Sequence, residues 1–464
     1  MSKPSAEAAS AGTSGPDIAP DIAPGRLAPA EYHANFGDIE SPLEHAEALI
    51  DASRCYFCHD APCIEACPTG IDIPGFIRKI ATGNVKGAAV TILEQNIFGG
   101  TCARVCPTEI LCERACVRNA GESRPVNIGA LQRYATDHLF ALGVEPFRRA
   151  APTGRRIAIV GGGPAGLACA HRLALRGHEA TVFEAREKLG GLNEYGIAAY
   201  KVPEDFAQNE VGFILGLGGI TARTGQALGR DIALGDLRRD YDAVFLGVGF
   251  AGVNALAAEG EELAGVEDAV AYIARLRQTA DKSSLHIGRR VVVIGGGNTA
   301  IDIAVQSKRL GAEDVTIVYR RGPSHMSATD HEQAFAQTNG VKIKHWARPR
   351  RLLARGHHVA AVEFEYTRME EGGLAGTGER FTLEADMVFK AIGQIMLPDP
   401  LSEDGRVVLE LKDRRIAVDA HHATSLPGVY AGGDCVGRGQ DLTVQAVEDG
   451  KRAAEAIDRY LAKR

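Results

Sequence analysis

One pattern occurs twice in this chain and limits its fold more than any other feature. The stretch RRIAIVGGGPAGLACAHRLALRG runs from an apolar strand through three glycines into an apolar helix, and EATVFEA follows as a second strand. The unit returns as RRVVVIGGGNTAIDIAVQSKRLG, followed by DVTIVYRR. A single glycine fingerprint is weak, but two in strand-to-helix context predict two nucleotide-binding units of α/β class. YDAVFLGVGF and ADMVFKAIGQ each read as a buried strand closing on a tight turn, which in the second contains Gly393 and Gln394.

The loops carry phosphate-binding chemistry. In the first, Gly161 permits the tight turn, Gly163 lets the backbone approach a pyrophosphate, and Gly166 lets the helix lie close on the strand. The helix opens at Pro164 and Ala165, and its free N–H groups favour a phosphate. Glu184 ends the next strand, about 20 residues on, where an acid accepts from a ribose hydroxyl and repels a 2′-phosphate, so this site suits FAD or NAD. KLGGLNEYG adds Gly190 and Gly191. In the second loop, Gly295, Gly297 and Ala300 form the variant that ends in alanine. Tyr319, Arg320 and Arg321 replace the acid, and guanidinium groups there fit the 2′-phosphate of NADPH. A solvated basic pair is the plain alternative. Near the C-terminus, GVYAGGDCVG sets Gly433 and Asp434 after a strand, and a helix begins near Thr443.

Eight of the ten cysteines lie in CYFCHDAPCIEACP and TCARVCPTEILCERAC, ahead of these units. The N-terminal residues lack the apolar core of a signal peptide. That implies a reducing, cytoplasmic setting, where clustered thiols bind metal instead of forming disulfides. Zinc sites pair C-x2-C knuckles, and only Cys55 and Cys58 form one. Cys67 precedes proline, the position from which a ferredoxin cysteine crosses to the other cluster. Spacing alone therefore starts one [4Fe–4S] cluster at Cys55, Cys58 and Cys63 and a second at Cys67. The eight thiols then supply four ligands to each cluster.

The rest of the N-terminal third reads as helical. SPLEHAEALIDAS has helical spacing and a serine start signal. IPGFIRKIATGNVKGAAVTILEQN reads as two short helices, VNIGALQRYATDHLFALG as another, and RRAAPTG as a linker. The first residues, rich in Ala, Pro, Ser and Gly, predict a floppy tail. A net charge of −7 argues against a nucleic-acid partner. No apolar run approaches a membrane span.

The two glycine units and the C-terminal GGD segment resemble the glutathione-reductase-like flavoproteins, in which an NAD(P)H domain is inserted between two halves of an FAD domain. There the aspartate, here Asp434, holds the ribityl chain, and the helix starting at Thr443 faces the flavin. Cys169 and Cys435 are far apart in sequence and make no redox pair, so electrons leave the flavin another way. The N-terminal region is similar to that of the dihydropyrimidine dehydrogenases, through CYFCHDAPCIEACPTGIDIPGFI, NVKGAA, GGTCARVCPTEILCERAC and VNIGALQRYATD.

That resemblance revises the ligand set. It implies one cluster on Cys55, Cys58, Cys63 and Cys116, and another on Cys67, Cys106, Cys112 and Gln132, leaving Cys102 a spare thiol and competitor. It also implies flavin contacts from Glu184 to Leu192 and at Lys201, where the family has arginine. Gly296, Gly297, Asn298 and Thr299 become the nicotinamide-nucleotide loop, and Arg320 and Arg321 the basic pair. Ser327 stands where animal members have a further basic residue, which keeps NADH open beside NADPH.

The expected division is a tail at 1–27, a helical double-cluster domain at 28–150, flavin-domain halves at 151–287 and 396–464, and a nicotinamide domain at 288–395. The implied function is electron input: hydride passes from NAD(P)H to FAD, and single electrons pass through the clusters to a partner. That partner is an FMN subunit that reduces uracil or thymine, in a hetero-oligomer. The small subunit of NADPH-dependent glutamate synthase is the alternative, and a noncatalytic zinc scaffold is a third reading.

Overall fold

The computed structural model describes residues 21–403 and 406–464. Its frame is two five-stranded parallel sheets of the same layout. In the first, Arg156–Val160 is central. Glu179–Phe183 and Ile220–Arg223 lie to one side, Ala243–Leu246 and Val429–Ala431 to the other. In the second, Arg290–Gly295 is central, flanked by Asp314–Val318 and Lys342–Lys344 and, opposite, by Met387–Ala391 and Val266–Asp268. Parallel strands need crossovers that cover both faces. Accordingly Ile157, Ala158 and Ile159 are wholly buried.

The first sheet takes an edge strand from near the C-terminus, so the second unit is inserted within the first. The helix Thr443–Leu461 lies against Pro164–Leu175. Their approach depends on Gly450, where a Cβ would stand 2.1 Å from the Ala165 carbonyl oxygen. A three-stranded antiparallel sheet, Ala347–Arg355, His358–Glu370 and Gly373–Glu384, was not anticipated from the sequence.

The cysteine region is helical: His45–Ser53, Pro62–Ala66, Ile73–Ala81, Val85–Gln95, Gly99–Val105, Arg118–Glu122 and Ile128–Leu142. Asp72, Asn84 and Asn127 cap three of these helices by accepting from the N–H three residues on, which satisfies otherwise orphaned donors. Phe76, Ile77, Ile80, Ile92 and Leu131 form their core.

Two expectations are corrected. Ser41 starts no helix: Glu44 precedes the first turn, and its N–H donates to Glu47. Arg133 holds the Glu40 carbonyl at 2.8 Å and pairs with Asp38, drawing this segment across the helix Ile128–Leu142. The second unit begins before residue 288, because Val266–Asp268 is its edge strand.

The N-terminal boundaries also move. Residues 1–20 of the expected tail lie outside the described residues. Ile22 and Ala23, however, pair with Gly288 and Ile287. The unforeseen helix Pro29–Phe36 buries Tyr32 and Phe36 in the core of the second unit, away from the cysteine helices. The buried sides of that short helix match no strong sequence signal.

Candidate functional site

The first glycine loop is shaped by close backbone contacts. Gly161 has φ +101°, and a Cβ there would lie 2.2 Å from the Gly247 oxygen. A Cβ on Gly166 would lie 1.9 Å from the Gly161 oxygen, whereas nothing approaches Gly163 closer than 3.6 Å. The turn is thus packed from behind and open in front. Gly161, Gly163, Pro164 and Ala165 line a cavity of about 310 Å³ with Glu184, Gly191, Leu192, Lys201, Gly433, Asp434 and Thr443. Gly166 and Gly190 stand behind this wall; Gly190 N donates to Gly162 O at 2.7 Å.

Glu184 is mostly buried and accepts from Gly162 N and Arg186 N, both at 2.8 Å. Each oxygen retains a lone pair for a ribose hydroxyl. Burial raises the Asp434 carboxyl to about 6. Gly433 N donates to buried Asp449 at 2.9 Å, and Thr443 Oγ1 donates to Asn193 Oδ1 at 2.9 Å. These contacts fix the C-terminal edge of the cavity. The set fits a dinucleotide flavin: a glycine turn for the pyrophosphate, an acid for the ribose, and a helix N-terminus opposite.

The second loop faces a cleft of about 1230 Å³, lined by Gly295, Gly296, Gly297, Asn298, Thr299, Tyr319, Arg320, Gly393 and Gln394. Gly295 permits close contact with Ala391, whose oxygen a Cβ would meet at 2.1 Å. Tyr319 lies against Gly296, where a Cβ would meet the ring at 2.4 Å. Arg321 does not join the lining; Arg348 of the unforeseen sheet does. Leu192, Asn298, Thr299 and Asp434 border both the cavity and the cleft, so the two spaces meet there.

At the same junction, Lys201 reaches from the first unit to Asp302 at 2.9 Å and Glu332 at 2.6 Å, both in the second unit. All three line the flavin-shaped cavity. The two carboxylates raise the ammonium's pKa against the effect of burial. Sequence reading placed Lys201 here but did not supply its partners, which lie about a hundred residues away.

The thiols gather into two cages. Cys55, Cys58, Cys63 and Cys116 surround one cavity, with Ile73, Ile77, Val126 and Ile128 as apolar walls. Cys67, Cys106, Cys112 and Gln132 surround another, and Cys102 lines it too. Burial pushes the Cys63 thiol up to about 12 and raises Cys112 as well. Such sites favour ligation by a cation-bearing group over free thiolates. Gln132 Nε2 donates to Gly99 O at 2.7 Å, and Oε1 has no hydrogen-bond donor among the described residues. Cys102 is buried, and its carbonyl oxygen accepts from Cys106 N at 3.0 Å. Among the described residues, no three His, Cys, Asp or Glu side chains converge as one zinc ion requires. Four thiols around the first cage, and three with an amide around the second, are the donors an iron–sulfur cluster takes.

Cys106 lines both the second cage and the flavin-shaped cavity. The helix carrying Cys102, Gly99–Val105, is held to the flavin unit by Glu210, which accepts from Gly100 N at 2.9 Å and Thr101 N at 3.1 Å.

This arrangement agrees with known proteins. Residues 155–450 match the family model described as pyridine nucleotide-disulphide oxidoreductase. The chain belongs to that family. Residues 32–144 of this pyridine nucleotide-disulphide oxidoreductase match a further model, dihydropyrimidine dehydrogenase domain II, 4Fe-4S cluster.

Among its relatives is the NAD-dependent dihydropyrimidine dehydrogenase subunit PreT of Salmonella typhimurium, 36% identical, covering 89% of this chain and 94% of that protein. The glutamate synthase [NADPH] small chain of Escherichia coli is 35% identical, covering 92% and 94%. Mycobacterium tuberculosis FprA in complex with NADPH shares the fold, with a TM-score of 0.54 and 21% identity over 67% of this chain and 85% of that one. The protein is therefore an NAD(P)H-dependent oxidoreductase with FAD and [4Fe–4S] clusters as further cofactors, which overturns the noncatalytic zinc scaffold. No described helix is long and apolar enough to cross a membrane.

Proposed function

We propose that this chain is the electron-input subunit of a cytoplasmic hetero-oligomer whose FMN-bearing partner reduces uracil or thymine to the 5,6-dihydropyrimidine. The observation that carries the electron-input reading is the position of Cys106, in the wall of the flavin-shaped cavity and of the second thiol cage at once. FAD held there would supply the conversion of a nicotinamide's electron pair into single electrons suited to iron–sulfur clusters. The chain's own residues bind and orient. Gly161, Gly163, Glu184 and Asp434 hold one dinucleotide, Gly295 to Thr299 hold the other, and Leu192, Asn298 and Thr299 stand where the two spaces meet.

Cys67, Cys106, Cys112 and Gln132 would hold the cluster nearer the flavin site, and Cys55, Cys58, Cys63 and Cys116 the one beyond it. The second cage shares Ile73 with the first, so the two adjoin. Tyr56 and Val117, both exposed, border the first cage at the surface. That end is where a partner takes electrons.

The pyrimidine partner is favoured by Gln132, which lines the second cage as the dihydropyrimidine dehydrogenase resemblance requires of the eighth ligand. The test is to purify the chain with its natural partner and follow NADH and NADPH oxidation with uracil. Uracil-dependent oxidation in a complex containing FMN is expected. Co-purification with a glutamine-hydrolysing subunit, without a response to uracil, would replace this reading with that of a glutamate synthase small chain.

A further inference from the structure

The cleft of the nicotinamide unit has a basic residue that the glycine fingerprint does not reveal. In this fold the end of the strand Asp314–Val318 faces the adenosine ribose of the coenzyme. Arg320 lines the cleft there, and Arg321 does not. Ala347 N donates to Tyr319 O at 3.2 Å, which lays the antiparallel sheet beside this strand end. The next residue, Arg348, therefore enters the cleft beside Arg320.

Arg348 is held along one edge. Its Nε and Nη2 donate to Glu365 Oε2 at 3.0 and 2.9 Å, while Gly378 N donates to Glu365 Oε1 at 3.1 Å. Gly376 makes room for the pair, since a Cβ there would lie 2.2 Å from Glu365 and 2.6 Å from Arg348. Nη1 enters no hydrogen bond among the described residues, and the side chain is 36% exposed. A guanidinium fixed along one edge and free along the other is suited to an oxyanion.

The charge balance has the same sign. Arg350 also approaches Glu365, at 3.8 Å, so two arginines share one carboxylate. The acids that line the cleft, Asp434 and Asp441, also line the flavin-shaped cavity and so lie where the two spaces meet. Ser327, which stands where animal members have a further basic residue, lines the same cleft.

The geometry points to Arg348 as a specificity-determining residue that, with Arg320, binds the 2′-phosphate and selects NADPH over NADH. This deepens the proposed function and rests on the reading of the cleft as its nicotinamide-nucleotide site.

The test is calorimetric binding of 2′,5′-ADP and 5′-AMP to the FAD-loaded chain, which needs no electron acceptor. We expect 2′,5′-ADP to bind at least about tenfold tighter, the scale of a charge-assisted phosphate contact. Arg348→Gln brings that ratio close to one while 5′-AMP affinity is retained. Arg348→Lys, which keeps the charge without the fork, gives an intermediate ratio and serves if the glutamine variant does not fold. Equal affinities in the native chain, or an unchanged ratio in either Arg348 variant, overturn the proposal alone. Failure to bind either adenylate overturns the cleft assignment as well.

Discussion

Lys201 of the flavin unit and Asp302 of the nicotinamide unit stand 2.9 Å apart in the wall of the flavin-shaped cavity, with Glu332 on the lysine's other side at 2.6 Å. The ammonium keeps buried Asp302 and half-buried Glu332 from facing each other unscreened. Lys201→Met leaves both without a cation. Breaking a buried pair in this way costs about 3–5 kcal/mol. A fall in the thermal midpoint and in FAD retention is expected, measured by scanning fluorimetry and flavin absorbance. Lys201→Arg should retain most of both.

Glu210 makes the docking of the cluster domain pH-sensitive. Burial raises its carboxyl from 4.5 to about 7, despite donors at Gly100 and Thr101. A raised value means that its contribution to stability is fully present below pH 4.5 and is lost as the pH rises through about 7. The loss is on the order of 3 kcal/mol. Glu210→Gln can accept from both backbone N–H groups and donate to Thr101 Oγ1. The variant should gain on the native protein between pH 5 and 8, read as the difference of their denaturation midpoints. A constant difference across that range would assign the pH dependence elsewhere.

The eighth cluster ligand can be decided by iron content. Gln132→Ala should lower iron per chain and alter the electron paramagnetic resonance of one reduced cluster. Cys102→Ala should leave both unchanged if that buried thiol, which also lines the cage, is not a ligand. The opposite pattern would make Cys102 the ligand.

The two glycine loops separate the nucleotides. Gly166→Ala forces a Cβ against the Gly161 oxygen at 1.9 Å, and Gly295→Ala forces one against the Ala391 oxygen at 2.1 Å. The first variant is expected to be purified without flavin. The second should keep its flavin colour but lose nicotinamide-nucleotide binding by more than about a hundredfold, since backbone must move to relieve such an overlap. Absorbance at purification and nucleotide titration distinguish the two.

What could be read from the sequence was local. The strand–glycine–helix units, the two short helices around residue 83 and the start of the last helix at Thr443 all depend on neighbours within a turn or a strand. The thiols could be assigned to cages because a family resemblance supplied pairings that spacing did not. Contacts between distant segments left no mark. Glu210 meets Gly100 across 110 residues, and Arg348 reaches its cleft from a sheet whose alternation revealed nothing about where it would dock. Val266–Asp268 is three residues long, too short for a period to show, so the second unit was given too late a beginning. At Ser41 a sound local signal was overruled by the distant Arg133.

The composition of the two thiol cages bears on the order in which the protein is made. Every residue around the first lies between Cys55 and Ile128. It can be filled while the rest of the chain is still being synthesised. The second is closed by Val444, next to Thr443 of the flavin-shaped cavity. That wall exists only after the last helix has come back across the first sheet. Metal insertion at the second cage is thus tied to completion of the flavin fold, and a chain cut short before residue 444 would leave the ribosome with its outer cluster site whole and its inner one open to water.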